Sequence, residues 1–361
     1  MPALAARARW WSAKSLRSRR AAQALAPRVE KGLAGPGLLA QVITSKYCDH
    51  LPLHRQEAIF ARHGVDLSRK TLCDWVMQSA AVLEPVVRAM KQEVLKSYCI
   101  HTDDTPVPVQ DKGNTHRAYL WVYLGDKGHP YTVYDFTWTR NRDGPKQFLG
   151  DYEGYLQADA FSGYEELYTS GKILEVGCWA HARRKFFEAK TTAPVAANDA
   201  MLRIGALYEI ERRAKEMNDP ERLALRQSEA APRLEQLAAW LRDLQTRALP
   251  KSPISQAVEY ALGNWTALTR YAQDANLAID NNPAERALRS VVVGRGNWLF
   301  MGSPRGGRAA ATLYSLIASA KRNTLDPFAY LRDLLARIPT HPQRDIAQLF
   351  PDRWKTLAPQ L

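Results

Sequence analysis

The spacing of apolar residues changes twice along the chain. From Gly35 it is helical: Leu38, Leu39, Val42 and Ile43 recur every three to four residues. Residues 53–75 (LHRQEAIFARHGVDLSRKTLCDW) read as a helix, a turn at Gly64 and a second helix capped by Ser68. That is the grammar of a helix-turn-helix, and a plain helical hairpin shows the same signals. A further helix is predicted over 80–96. At Tyr98 the period shortens. Strands are predicted over 98–109 (interrupted by acids), 117–125, 129–137, 155–159 and 173–178, with short helices near 145–149 and 163–168 and a strongly basic helix over 179–190. Three antiparallel strands followed by two that alternate with helices describe a mixed α/β sheet with helices on its faces.

Around residue 195 the pattern becomes helical again and stays so to about 275. Segments 201–217, 223–248 and 254–272 have amphipathic spacing and no strand signal. They read as an all-helical insertion. Residues 279–289 (IDNNPAERALR) then open a helix, with Asn282 as the expected N-cap and Pro283 at the first helical position. Residues 293–300 (VGRGNWLF) read as a glycine-punctuated turn with exposed cations, and 306–322 as an alanine-rich helix.

Composition narrows the class. The chain has 361 residues, of which 46% are hydrophobic, enough for two or three domains and a large core. Lys and Arg number 50 against 37 Asp and Glu, a net charge of +13. That excess favours a polyanionic partner, nucleic acid before an anionic membrane surface. No apolar run approaches the roughly 18 residues of a spanning helix. The arginine-rich start, including Trp10-Trp11, lacks the apolar core of a signal peptide and reads as a basic mobile tail. A cytoplasmic, nucleoid-associated protein is expected. The cysteines (Cys48, Cys73, Cys99 and Cys178) are scattered, which argues against a disulfide framework or a structural zinc site. Cys178-x-x-His181 is half a zinc motif with no second half in view.

The chemistry lies in three acids. Asp103 falls within a predicted strand and Asp159 at the end of another, where a carboxylate is costly unless paired, hydrogen-bonded or bound to metal. Glu285, from the first turn of its helix, supplies a third, although Glu three residues after an Asn cap also fits the return half of a capping box. Three convergent carboxylates repel one another, and a hard divalent cation such as Mg²⁺ relieves the repulsion. Two ions about 4 Å apart suit hydrolysis of a phosphodiester. Asp104 competes with Asp103, and strand alternation puts the two on opposite faces. Arg69 and Lys70, with Ser68 and Thr71, stand at the start of the second helix of the hairpin, placed to meet DNA.

The motifs together resemble the transposases of the insertion sequence 66 family, DDE enzymes with a ribonuclease-H-like core. They are GPGLLA and SKYCDHLPLHRQ near the start, DDTP at Asp103, GYLQADAFSGY around Asp159, GCWAHARRKF from Gly177, IDNNPAERALR around Glu285, and GRGNWLFMGS. The resemblance runs from about residue 31 to 330. It implies that Asp103, Asp159 and Glu285 are the catalytic, metal-holding triad, and it selects Asp103 over Asp104. It implies Mg²⁺ or Mn²⁺ as cofactor and DNA contacts by His181, Arg183, Arg184, Arg286, Arg289, Arg295 and Asn297. Two departures stand out. Family members usually carry a coiled coil and a cysteine-rich zinc module before the region that starts here near Lys31. Gly296 also stands where the family usually shows Lys, a change expected to weaken a phosphate contact.

The expectation is therefore a DNA transposase that cleaves and joins strands at the terminal inverted repeats of a bacterial insertion sequence. Its partners would be double-stranded repeat and target DNA, a second copy of itself on that DNA, and accessory proteins, with no membrane. The rivals are a metal-dependent nuclease on the same fold and a DNA-binding remnant without catalysis. The expected organisation is a basic tail (1–30), a helix-turn-helix-like domain (31–96), a ribonuclease-H-like core in two parts (97–192 and 277–325) around the insertion (193–276), and a C-terminal helical tail (326–361).

Overall fold

The computed structural model describes residues 34–357. The basic tail and its two tryptophans lie outside the described residues. Three helices come first: α1 (Pro36–Tyr47), α2 (Leu53–Arg62) and α3 (Arg69–Val94). The turn between α2 and α3 puts Gly64 at φ 75°, in the left-handed region that glycine tolerates. Ser68 Oγ accepts from Thr71 N at 3.1 Å, and Glu57 Oε1 accepts from Arg69 N at 2.7 Å. These two bonds satisfy amides at the start of α3 that have no helical partner. The expected helix–turn–helix is thus present, with Arg69 and Lys70 exposed at the head of α3. The separate helix expected over 80–96 is instead the continuation of α3. Leu72, Val76, Leu83, Val87 and Val94 keep one buried stripe running past Pro85.

Five strands follow, with helices between the later ones: β1 (Cys99–Asp111), β2 (Asn114–Leu124), β3 (Thr132–Thr137), α4 (Asp143–Leu149), β4 (Gly154–Gln157), α5 (Glu165–Tyr168), β5 (Ile173–Val176) and α6 (Trp179–Glu188). The sheet order is β3-β2-β1-β4-β5. The first three strands form an antiparallel meander, whereas β1–β4 and β4–β5 are parallel. This is the mixed sheet expected from the sequence, compatible with a ribonuclease-H-like core flanked by helices. The acids do not interrupt β1, which pairs continuously through Asp103 (opposite Val122) and Asp104 (opposite Trp121).

The insertion comprises α7 (Pro194–Ala214), α8 (Asp219–Leu225), α9 (Ala231–Arg247), α10 (Pro253–Gly263) and α11 (Trp265–Thr269). It has its own core, in which Ile204, Leu207, Leu241, Val258 and Leu268 are buried. The single helix expected over 223–248 is broken by a π turn at Arg226–Ala230. A π turn adds a residue to the helical circuit, and here it coincides with a charged side chain facing inwards. Arg226 is 2% exposed. It donates to Glu211 on α7 at 2.6 and 2.8 Å, to Tyr271 O at 2.8 Å and to Asp274 O at 2.5 Å. One guanidinium thus ties α7, the π turn and the segment that leads back to the sheet.

The chain ends with α12 (Asn282–Trp298), α13 (Pro304–Arg322), α14 (Pro327–Arg337) and α15 (Pro351–Leu357). The turn expected over 293–300 is helix as far as Trp298. Gly294 is there for closeness: a Cβ would stand 2.8 Å from Trp298 Nε1 and 2.9 Å from the Tyr314 hydroxyl. Helix α13 covers the β3 edge. Ser319 Oγ accepts from Thr132 N (2.9 Å) and donates to Thr132 O (3.0 Å), while Ser315 Oγ accepts from Tyr134 N (2.8 Å). Edge amides that would otherwise template another strand are thereby satisfied. Residues of α1, α3, α12, α13 and α14 share one core with the sheet, so the helices of 36–94 pack directly on the strands. No helix among the described residues is long and apolar enough to cross a membrane.

Removing the Arg226 side chain leaves Glu211, whose side chain is only 16% exposed, without its partner. Arg226→Ala is expected to destabilise the chain by about 3–5 kcal/mol. A melting curve that matches the native chain would show that this contact does not hold the insertion together.

Candidate active site

The site is built where β1, β4 and α12 meet. The parallel register of β1 and β4 ends at His101 opposite Gln157. Asp103 lies two residues further along β1, and Asp159 lies two residues past Gln157, beyond the end of β4. Glu285 comes from the first turn of α12, and that helix is laced to β1 over its length. At its start, Asn281 Nδ2 donates to Thr102 O at 2.7 Å and Asn281 Oδ1 meets His101 Nδ1 at 3.0 Å. Because the amide nitrogen is spent on Thr102, Oδ1 accepts and His101 donates. Burial lowers the His101 pKa to about 4, which keeps the ring neutral. Further along, Arg295 donates to Pro106 O. Beyond the helix, Met301 N donates to Pro108 O at 2.8 Å.

The start of α12 differs from expectation. Asn281, not Asn282, holds the cap position, and its side chain makes no capping bond because it is committed to β1. The Asn282 side chain is bonded to Asp280 at 2.5 Å. No capping box forms either, since Glu285 Oε1 is cut off from solvent without a hydrogen-bond partner. Glu285 Oε1 instead lies 3.7 Å from His181 Nδ1, and its other oxygen lies 3.7 Å from the Arg184 guanidinium.

The three acids act on one another electrostatically. Asp103 is pushed from 3.8 up to about 7, first by burial and then by the negative charges of Asp159, Asp104 and Glu285. Its carboxylate accepts one hydrogen bond, from Asp104 N at 2.8 Å. Asp104 has a different environment. Burial raises its pKa too, but Arg140 Nε opposes this from 2.9 and 3.1 Å. Alternation sends Asp104 to the other face, yet it is not remote, because the same guanidinium reaches Asp159 at 3.6 Å. Arg140 lies over the Phe161 ring at 4.0 Å. No motif flagged Arg140, and within IDNNPAERALR the expected cap is Asn282, not Asn281. Arg140 and Asn281 both act through contacts between residues far apart in sequence.

The acids suit a divalent cation in kind. Asp103 is raised first by burial and then by the charges of Asp159, Asp104 and Glu285, and Glu285 Oε1 is buried without a hydrogen-bond partner. Beside Glu285, a cavity of about 660 Å³ is lined by Arg183, Arg184, Phe187, Tyr208 and Asn282 among others. Arg183, Arg184, Arg286 and Arg289 are all exposed there or on the outer face of α12, and Gly296 shares that outer face. Arg295 and Asn297 are less free. Arg295 binds the β1 backbone, and Asn297 accepts from Arg55 at 3.2 Å while donating to Val293 O.

A family model described as Transposase IS66 family matches residues 31–309, and another described as IS66 C-terminal element matches residues 315–351. The chain belongs to the IS66 transposase family. It is 35% identical over 349 residues to the uncharacterized protein y4hP of Sinorhizobium fredii, covering 90% of this chain and 63% of that protein. It is 34% identical over 352 residues to y4jD of the same organism, covering 92% of this chain and 69% of that one. This member thus spans less than two thirds of y4hP.

Folding raises the Asp103 pKa, so the folded chain holds a proton that the unfolded chain gives up between about pH 4 and 7. Metal-free stability should fall as pH rises across that window. Asp103→Asn is expected to raise the melting temperature of the metal-free protein, with a gain that grows from pH 4 to 7 and is level above. A gain independent of pH would show that Asp103 is not held near neutrality.

Proposed function

We propose that this chain cleaves DNA strands at the ends of an insertion element and joins the freed 3′ ends to target DNA. Asp103, Asp159 and Glu285 would hold the divalent ions. The observation that carries this reading is Asp103 itself, raised to about 7 first by burial and then by the negative charges of Asp159, Asp104 and Glu285. Bound there, Mg²⁺ or Mn²⁺ would lower the pKa of an attacking water or hydroxyl and stabilise the leaving oxygen. The protein's own groups would do the rest. Asp103 would lose its proton as the cations replace the missing counter-charge. Arg140 would keep Asp104 ionised and out of the ligand set. Arg183, Arg184, Arg286 and Arg289 would hold phosphates along the groove, and Arg69 and Lys70 would hold DNA at the head of α3. Segment 31–96 would then serve as the DNA-binding part and the sheet as the chemical part, the insertion standing between β5 and α12.

Glu285→Gln is expected to abolish both strand cleavage and strand transfer on labelled end-sequence DNA, with DNA affinity near that of the native chain. A variant that still cuts would remove Glu285 from the triad, and a native chain that cuts without joining would be a nuclease.

DNA affinity should fall steeply and linearly on a log–log plot against salt. Arg69→Ala with Lys70→Ala should flatten that slope by about 2 if both residues contact phosphates. An unchanged slope would make α2–α3 a structural hairpin only.

A further inference from the structure

The half motif Cys178-x-x-His181 finds its third member across the fold. Cys178 is the residue before α6, His181 is in that helix's first turn, and Glu285 is in the first turn of α12. One ligand atom from each lies within 4.8 Å of the other two. We propose that Cys178, His181 and Glu285 form a separate site for a thiophilic divalent ion of the Zn²⁺ class, sharing Glu285 with the aspartates.

Two orphaned atoms point to it. His181 Nδ1 and Glu285 Oε1 are both sealed from solvent, both lack a hydrogen-bond partner, and they stand 3.7 Å apart. That is too far for a hydrogen bond between them. It is close to the spacing of two ligands on one ion: Zn–N and Zn–O lengths of about 2.0 Å and Zn–S of about 2.3 Å give tetrahedral edges of about 3.3 Å for N–O and about 3.5 Å for those to sulfur, so the pair closes by about 0.4 Å on binding. A small closure of the sulfur completes the set.

The sulfur is prepared for a thiolate. Asn281 N donates to Cys178 Sγ at 3.2 Å, and the backbone amides of Ala180 and His181 also favour its ionised form. Without a cation, burial still dominates and keeps the thiol protonated, pushed up to about 11. On binding, the S–H bond breaks, its proton leaves to solvent, and the sulfur's electron pair forms the bond to the metal. The amides then hold the anion from the outer side. Sulfur, imidazole and carboxylate together are a donor set that Mg²⁺ does not choose and Zn²⁺ does. Three protein ligands leave a fourth position for water or another small ligand. An ion held here draws Glu285 Oε1 away from Asp103 and Asp159, so the two sites compete for one carboxylate.

The proposal rests on these three ligands and not on the cleavage reading. The test is Co²⁺ titration of the full chain, followed by absorption. The expected result is one tightly bound ion per chain, a near-ultraviolet thiolate charge-transfer band, and visible bands of four-coordinate Co²⁺, all displaced by Zn²⁺. Cys178→Ser should remove the charge-transfer band. His181→Gln should weaken binding at least tenfold, and it keeps the test decisive if Cys178→Ser does not fold. Asp103→Asn, which removes no ligand of this site, should leave the spectrum unchanged whether or not the protein cuts DNA. Absence of the sulfur band, or its persistence in Cys178→Ser, would overturn the assignment and send the ion to another cysteine.

Discussion

One buried amide side chain sets the geometry on which the rest depends. Asn281 is fully buried, and its functional groups tie α12 to two other elements. Its side chain bridges two residues of β1, and its backbone N–H meets the sulfur that precedes α6. Each bond is modest by itself. In a site sealed from water, however, every unmade partner would cost about 1–3 kcal/mol, so the three elements have one way to meet. Helix α12 therefore begins at a defined height along β1, and Glu285 follows four residues later. Arg295 and Met301 fix the far end of the same helix to Pro106 and Pro108, which leaves it little freedom to slide.

The acids around this junction are divided by their counter-charges. Asp104 and Asp159 share Arg140, whereas Asp103 has a single backbone donor and the repulsion of its neighbours. Glu285 faces the other way as well, towards His181 and Arg184. It is the one group that stands both in the field of the aspartates and beside the Cys178–His181 pair. A carboxylate in that position is a natural point of control, since the ion that holds it decides whether the aspartates have a third partner.

The insertion explains how Glu285 reaches the sheet after so long a helical excursion. Its core takes in Val176 of β5 and Trp179 and Phe186 of α6, and its return segment is stitched to the β4–β5 end. Gln157, fully buried, donates to Gly177 O at 3.1 Å and Ala278 O at 2.7 Å, and Trp179 Nε1 donates to Leu268 O at 2.8 Å. Arg226 holds the same segment from within the insertion. The helices thus deliver the chain to Asn281 from a braced position and form one wall of the cavity beside Glu285.

Much of this was legible in the residues alone. Periodicity, caps and glycines are settled by neighbours a few positions away, so the α2–α3 hairpin, the three-strand meander, the two later strands and the helical insertion could be read directly. The run of acids and the basic excess named the chemistry, and the motif spacing named the family. Other features depended on residues about 20–180 positions apart, which no local pattern encodes. Packing against Tyr314 turned the expected glycine turn into helix at Gly294. The claim of β1 on Asn281 moved the cap off Asn282 and left Glu285 without a capping role. Arg140 separated Asp104 from Asp103, and Glu285 gave Cys178 and His181 a third ligand. Local sequence determined what each segment would be. Only burial, which makes a polar group find its partner wherever the fold supplies one, decided which of them would meet.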